Sequence, residues 1–266
     1  MRLCSIASGS SGNCIYVGSE ATHLLIDAGV SCKRIEAGLR VLELDGRDVD
    51  GIFITHEHTD HIGGLGVIAR KFEIPIYATR GTIEAMKRTS GLQNVNTELF
   101  HEVREDEKLV LKDLTVNPMK ISHDAAQPVG YRISHGSKRV AVCTDIGVYN
   151  DYTVECLRGM DALLLEANHD VNMLQVGPYP YYLKQRILGD RGHLSNENSG
   201  RLLCRILHDN LKTILLGHLS KENNLPELAY ETVRMEIAMG DNPYKPEDFD
   251  IRVASKSEVT RPVYLN

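Results

Sequence analysis

Ile52-Phe53-Ile54-Thr55-His56-Glu57-His58-Thr59-Asp60-His61 is the stretch whose reading decides the fold. The apolar run Ile52–Ile54 reads as a short buried strand, and metal-capable side chains begin where it ends. His56 and His58 are two apart on a turn leaving that strand, so both imidazoles can reach one ion. Asp60 and His61 lie on the following turn and can reach a second. One loop thus carries two half-sites.

Working outward, Arg2–Ala7 and Cys14–Val17 read as strands joined by Ser8-Gly9-Ser10-Ser11-Gly12-Asn13. Small residues such as Ser10 let backbone N–H groups converge on an anion and Asn13 adds a donor; the alternative is a plain flexible hairpin. His23–Ile26 is an apolar strand ending at Asp27. A carboxylate at the tip of a buried strand needs hydrogen bonds or a nearby cation. Asp27 therefore either orients metal ligands or caps a helix.

Helical spacing follows at Lys33–Leu44, Ile62–Phe72 and Thr79–Arg88, with a strand at Ile74–Tyr77. From about Asn96 to Ile121 short alternating runs predict an antiparallel meander leading to His123, and Pro128–Ser134 with Arg139–Cys143 a hairpin leading to Asp145. Asp161–Leu165 is a strand entering Glu166. Val171–Leu188 is helical with a break at Gly177-Pro178, Asn196–His208 is a helix capped by Ser195, and Lys212–Leu216 is a strand ending at Gly217-His218. A helix at Leu225–Met239 and a final strand at Phe249–Val253 close the chain. Apolar strands end repeatedly at Asp27, His56, His123, Asp145, Glu166 and His218, so polar residues gather at one edge of packed sheets, where ligand crevices form. The prediction is an α/β fold of two mixed sheets face to face with helices outside.

Composition narrows the class. With 266 residues and 42% hydrophobic content the chain can bury a sizeable core. Six cysteines without CxxC spacing, and an N-terminus lacking a basic-then-apolar segment, point to a reduced, cytoplasmic setting. No apolar stretch approaches the roughly 20 residues of a membrane span. The net charge of −6 counts against indiscriminate nucleic-acid binding without speaking to local patches.

THEHTDHIGG at 55–64 resembles the HxHxDH signature of the metallo-β-lactamase superfamily. The opening Ile6-Ala-Ser-Gly-Ser-Ser-Gly-Asn-Cys14, LLIDAG at 24–29 and GHLSNENSG at 192–200 are similar to its YycJ (WalJ) branch, whose members are described as DNA exonucleases. The resemblance implies a metallo-β-lactamase-like αβ/βα sandwich forming a single domain over residues 1–266, without a β-CASP insertion. It also implies that His56, His58 and His123 hold one ion, that Asp60, His61 and His218 hold a second, and that Asp145 bridges both. Two divalent ions about 3.5–4 Å apart would share a hydroxide that attacks phosphorus. Nitrogen and oxygen ligands without thiolate suit Zn or Mn, with Fe as an alternative.

His193, before a helix N-terminus, resembles the extra histidine of phosphodiesterase branches and can bind a phosphate oxygen or protonate the departing alkoxide. The expected catalytic group is thus Asp60, His193 and Glu166, with Glu166 and His169 orienting His193 or the metals, or serving structural hydrogen bonds. Tyr179, Tyr181, Tyr182, Lys184, Arg186 and Arg191 form a basic, aromatic cluster suited to stacked nucleic acid, or a solvated helix face. The expected activity is metal-dependent phosphodiester hydrolysis on DNA or RNA, 5′-to-3′ on DNA by the resemblance. The alternative is a small-molecule metallo-hydrolase of a cyclic phosphodiester, thioester or lactone.

Overall fold

Short apolar segments pair into two seven-stranded mixed sheets in the computed structural model, which describes residues 1–266. The strands are β1 (Arg2–Ala7), β2 (Cys14–Gly18), β3 (His23–Ile26), β4 (Gly51–Phe53), β5 (Ile76–Ala78), β6 (Phe100–Glu102), β7 (Leu109–Leu111), β8 (Leu114–Lys120), β9 (Val129–His135), β10 (Lys138–Cys143), β11 (Ala162–Glu166), β12 (Thr213–Gly217), β13 (Asp250–Val253) and β14 (Val263–Tyr264). Their orders are β14-β1-β2-β3-β4-β5-β6 and β13-β12-β11-β10-β9-β8-β7. In both sheets an antiparallel portion gives way to a parallel run, β3 to β6 in one and β10 to β13 in the other.

Alternation along each strand divides its side chains between two cores. Leu24, Ile26 and Phe53 from one sheet meet Tyr131, Val142, Leu164 and Leu215 from the other in the layer between them. The opposite faces are covered by helices: α1 (Cys32–Val41), α2 (Thr59–Ile62), α3 (Leu65–Phe72) and α4 (Arg80–Met86) over the first sheet, α5 (Asp151–Leu157), α8 (Asn196–Cys204) and α9 (Pro226–Met239) over the second. Between the last three, α6 (Val171–Val176) and α7 (Tyr181–Leu188) form an excursion broken around Gly177-Pro178, as expected. The fold is the α/β sandwich anticipated from the strand pattern.

Three details differ. Phe100–Glu102 does not join the meander but runs parallel to β5 at the edge of the first sheet. The chain does not end on β13: Val263–Tyr264 pairs antiparallel with β1. Both segments have too few residues for alternation to declare a sheet. The predicted helix at Ile62–Phe72 is two helices, because Gly63-Gly64 must lie against neighbouring backbone; a Cβ on Gly64 would stand 1.9 Å from the Val30 carbonyl oxygen.

Close approach is tightest at Gly29, where a Cβ would fall 1.7 Å from the Asp60 carbonyl oxygen. Asn13 N–H donates to that same oxygen at 2.8 Å and Gly29 N–H to Asn13 O at 2.7 Å. The loops after β1, β3 and β4 are thereby locked into one unit. Gly29→Ala should destabilise the protein by about 3 kcal/mol, at the upper end for overpacking. Thermal unfolding should show a Tm loss of roughly 6–9 °C; an unchanged Tm would mean the loops are not locked.

Candidate metal centre

Residues that leave the ends of β3, β4, β10 and β12 converge on one buried point with His123, which follows β8. Asp27, Asp145 and His218 take φ values of 63°, 60° and 56°, so three strands exit through left-handed backbone that non-glycine residues adopt at a cost. This conformation turns each side chain back toward the sheet edge.

Potential ligand atoms of His56, His58 and His123 lie within 4.8 Å of one another, as do those of His56, His61 and Asp145, and those of Asp60, His61 and His218. Asp145 approaches His61 Nε2 with Oδ2 at 3.3 Å, and His123 Nε2 and His218 Nδ1 with Oδ1 at 3.7 and 3.5 Å. Asp60 Oδ2 lies 3.3 Å from His218 Nε2 and 3.4 Å from His61 Nε2. All seven residues named as ligands from the sequence are therefore together, and the second half of the chain contributes two of them, Asp145 and His218.

The donor set fits divalent metal. His56 Nε2 and Asp145 Oδ2 are buried without a hydrogen-bond partner, an arrangement that costs roughly 1–3 kcal/mol per atom unless something else fills the coordination. Burial, reinforced by neighbouring His61, holds the His56 imidazole well below its ordinary pKa and so keeps its lone pair free. Burial opposes protonation of His61 and His218 as well, but the surrounding carboxylates outweigh it. Asp145 and Asp27 raise His61 well above its usual range, and Asp145, Asp60 and Glu166 push His218 up to about 10. At those two imidazoles a proton and a bound cation are alternative ways of balancing the buried carboxylates.

Around the ligands lies a shell of orienting groups. Asp27 Oδ2 is 2.7 Å from His61 Nδ1, while its Oδ1 accepts from Thr55 N–H at 2.8 Å. It does not cap α1, which is preceded by Ser31. Glu166 Oε1 lies 2.8 Å from both His193 Nδ1 and His218 Nδ1. Although burial disfavours its charge, neighbouring His193 and the hydrogen bonds lower the Glu166 carboxyl to about 2. The His193 side chain is 19% exposed and its Nδ1 stands 3.5 Å from Asp145 Oδ1, so it reaches both the cluster and the surface.

Several expected roles are corrected. His169 makes no hydrogen bond to His193 or to the seven clustered residues: its Nδ1 lies 3.3 Å from Asn168 Oδ1, and Asn168 Nδ2 in turn donates to the His218 carbonyl at 2.8 Å. Asn13 is buried beneath the loop, its Oδ1 accepting from Gly9 N–H at 3.0 Å and its Nδ2 lying 3.2 Å from His61 Nε2, so it braces the site and cannot meet substrate. Arg191 donates to the His123 carbonyl at 3.1 and 3.0 Å, and Lys184 to the Gln175 carbonyl at 2.7 Å. Arg186 pairs with Asp124. Tyr182 is 74% exposed on α7, and Ser10 lines an open polar cleft of about 390 Å³ that also touches Asp60.

Sequence reasoning missed Ser8, Thr55 and Asn168. Ser8 Oγ accepts from His218 N–H at 2.8 Å, fixing the left-handed exit of β12 from 210 positions away in the chain. The strand-end position of Thr55, between Asp27 and the histidines, was a usable signal; nothing in the sequence marked the other two.

Among known proteins, residues 22–214 match the family described as the beta-lactamase superfamily domain. The chain is 42% identical over 228 residues to the exodeoxyribonuclease YycJ of Bacillus anthracis, covering 86% of each chain. It is also 42% identical over 236 residues to the exodeoxyribonuclease WalJ of Streptococcus pneumoniae, covering 89% of this chain and 88% of that one. The crystal structure of Zn(2+)-bound PqqB from Methylobacterium extorquens shares the fold with a TM-score of 0.72 at 16% identity, covering both chains completely.

Loss of an orienting partner should loosen metal without removing a ligand. Asp27→Asn and Ser8→Ala are each expected to weaken metal affinity by about 10–100-fold, measured by chelator competition. Ser8→Thr, which keeps the hydroxyl, should recover most of the loss; equal affinity in all three variants would remove these residues from the metal centre.

Proposed function

We propose that this chain, which belongs to the metallo-β-lactamase superfamily, is a dinuclear metal phosphodiesterase acting on nucleic acid, a 5′-to-3′ exonuclease on DNA. What carries the proposal is the combination of seven clustered His and Asp residues with a sixth imidazole, His193, held against Glu166 at their rim. Similarity to two proteins named exodeoxyribonucleases over most of the chain supports the substrate class and the exonuclease mode. His56, His58 and His123 would hold one ion, Asp60, His61 and His218 the other, and Asp145 both; Zn and Mn suit the donors, with Fe as an alternative. When bound, such ions lower the pKa of water and neutralise charge on a phosphoryl oxygen.

The chain's own residues supply the rest. Glu166 fixes the His193 ring through Nδ1, leaving Nε2 as the atom that can pass a proton to the departing oxygen. Asp27 and Thr55 hold His61 at Nδ1 and Asn13 lies against its Nε2 edge, so that ring is fixed in orientation. Tyr181 and Tyr182, 77% and 74% exposed on α7 with no buried residue beneath them, offer stacking surfaces for unpaired bases.

Purified protein loaded with Mn or Zn should degrade 5′-labelled DNA and turn over bis(p-nitrophenyl) phosphate. Activity restricted to a thioester or lactone would overturn the proposal. Asp145→Ala should lose metal occupancy and cleavage together. His193→Ala should keep its metal content, measured by elemental analysis, while kcat falls about 10²–10⁴-fold; a kcat within twofold of the parent would exclude His193 from proton transfer.

A further inference from the structure

Beyond the metal centre, two open clefts of about 490 and 480 Å³ lie one after the other along the same wall, α5. The nearer is bounded by His123, Lys120 and Arg191 on one side and by Asn150, Tyr152 and Thr153 of the α5 turn on the other. The farther is bounded by Glu155, Cys156 and Arg158 at the end of α5 and by the outward side chains of β8 and β9, Asn117 and Arg132 among them. At the junction Asp106 takes a hydrogen bond from the Tyr152 hydroxyl at 2.8 Å and lies 3.5 Å from Arg132. α5 covers Met119 at the end of β8, while Thr115 and Asn117 of β8 and Arg132 and Ser134 of β9 stay half-buried, and this shelf beside α5 makes the groove. Along β8, Thr115 to Lys120 spans about 17 Å, enough for several phosphates.

Charge in the groove runs against the charge of the chain. Six cations line the two clefts, against Glu105, Glu155 and, at the junction, Asp106, in a protein of net charge −6. Arg158 pairs with Glu155, yet Lys108, Lys120, Arg139 and Arg191 have no carboxylate within ion-pair distance. Arg132 Nε and Asn117 Oδ1 are buried there without a hydrogen-bond partner. Tyr152 is the one aromatic ring in the lining and its hydroxyl is already engaged, so the groove offers cations and amides with no stacking platform. Such a surface reads phosphate and ignores base identity.

We propose that this groove is a track for the sugar-phosphate backbone of a nucleic-acid strand, leading from His123 along β8 to Lys108, Arg139 and Arg158. The proposal rests on the nuclease reading of the metal centre and adds where the uncleaved part of the substrate lies. Binding there is independent of sequence and strongly dependent on salt. Substrates long enough to enter the second cleft are held better than those that end at the first.

The experiment compares the metal-loaded parent with Lys108→Glu/Arg139→Glu, both exposed positions, and with a charge-matched control elsewhere on the surface, Lys33→Glu/Arg47→Glu. KM for a dinucleotide and for a 20-nucleotide strand is measured across a salt series. In the groove variant the 20-mer KM should rise about tenfold, the dinucleotide KM should stay within about twofold, and the log-log salt slope of 20-mer binding should fall by about 1.4, two single-strand contacts. The control should match the parent. A 20-mer KM that does not move, or that moves equally in the control, overturns the track while the parent's cleavage leaves the nuclease reading standing. A parent that neither binds nor cleaves either oligonucleotide overturns both.

Discussion

Everything in this molecule depends on holding four carboxylates and six imidazoles at the mouth of an apolar sandwich. Asp27, Asp145 and Glu166 are essentially solvent-free, and a lone ionised carboxylate in such surroundings would cost more than a domain's net stability. The arrangement survives because each carboxylate meets imidazole or backbone N–H. Asp145 has four histidine nitrogens within 3.7 Å, Asp27 has His61 and Thr55, and Glu166 has His193, His218 and two N–H groups. Mutual compensation also makes the centre intolerant of single losses, since removing one partner leaves the other charged and buried.

Geometry enforces the compensation. Three strands leave through left-handed residues at Asp27, Asp145 and His218, and each strained exit is over-determined by a neighbour. Ser8 clamps His218 N–H, Asn168 clamps its carbonyl, and Glu166 Oε2 accepts from Ile146 N–H at 2.8 Å, one residue past Asp145. The small residues of the first loop matter because they let backbone approach backbone, as at Gly29 against Asp60. Sheet one supplies Ser8, Asp27 and the His-rich loop, while sheet two supplies Asp145, Glu166 and His218. Neither sheet builds the centre alone.

Much of this was legible in the sequence, for a physical reason. Ligands that cluster locally, as in His56-Glu57-His58-Thr59-Asp60-His61, and polar residues that interrupt apolar strands, as at Asp27, Asp145, Glu166 and His218, break the hydrophobic pattern where it should continue. Ser8 and Asn168 break no pattern, because a serine in a serine-glycine loop and an asparagine after a strand are ordinary there; only tertiary placement reveals their partners. The same blindness misplaced Asn13. A donor near a site can face the substrate or an unpaired loop carbonyl, and composition does not distinguish the two. Phe100–Glu102 and Val263–Tyr264 were hidden because two or three residues carry no period.

Glu166 shows how the centre links binding to chemistry. One oxygen receives His218 and His193 through their Nδ1 atoms, and the other receives the backbone N–H groups of Ile146 and Leu194. Each Nδ1 committed to Glu166 sets the opposite nitrogen as the working one: His218 Nε2 points toward Asp60, 3.3 Å away, and His193 is left with Nε2 at the exposed rim. Because the same carboxylate also fixes the turn after Asp145, a shift of Glu166 would move His218, Asp145 and the rim histidine together. Pre-organisation here is thus a shared property of one buried group, which confines its tolerated replacements far more than its distance from the surface would.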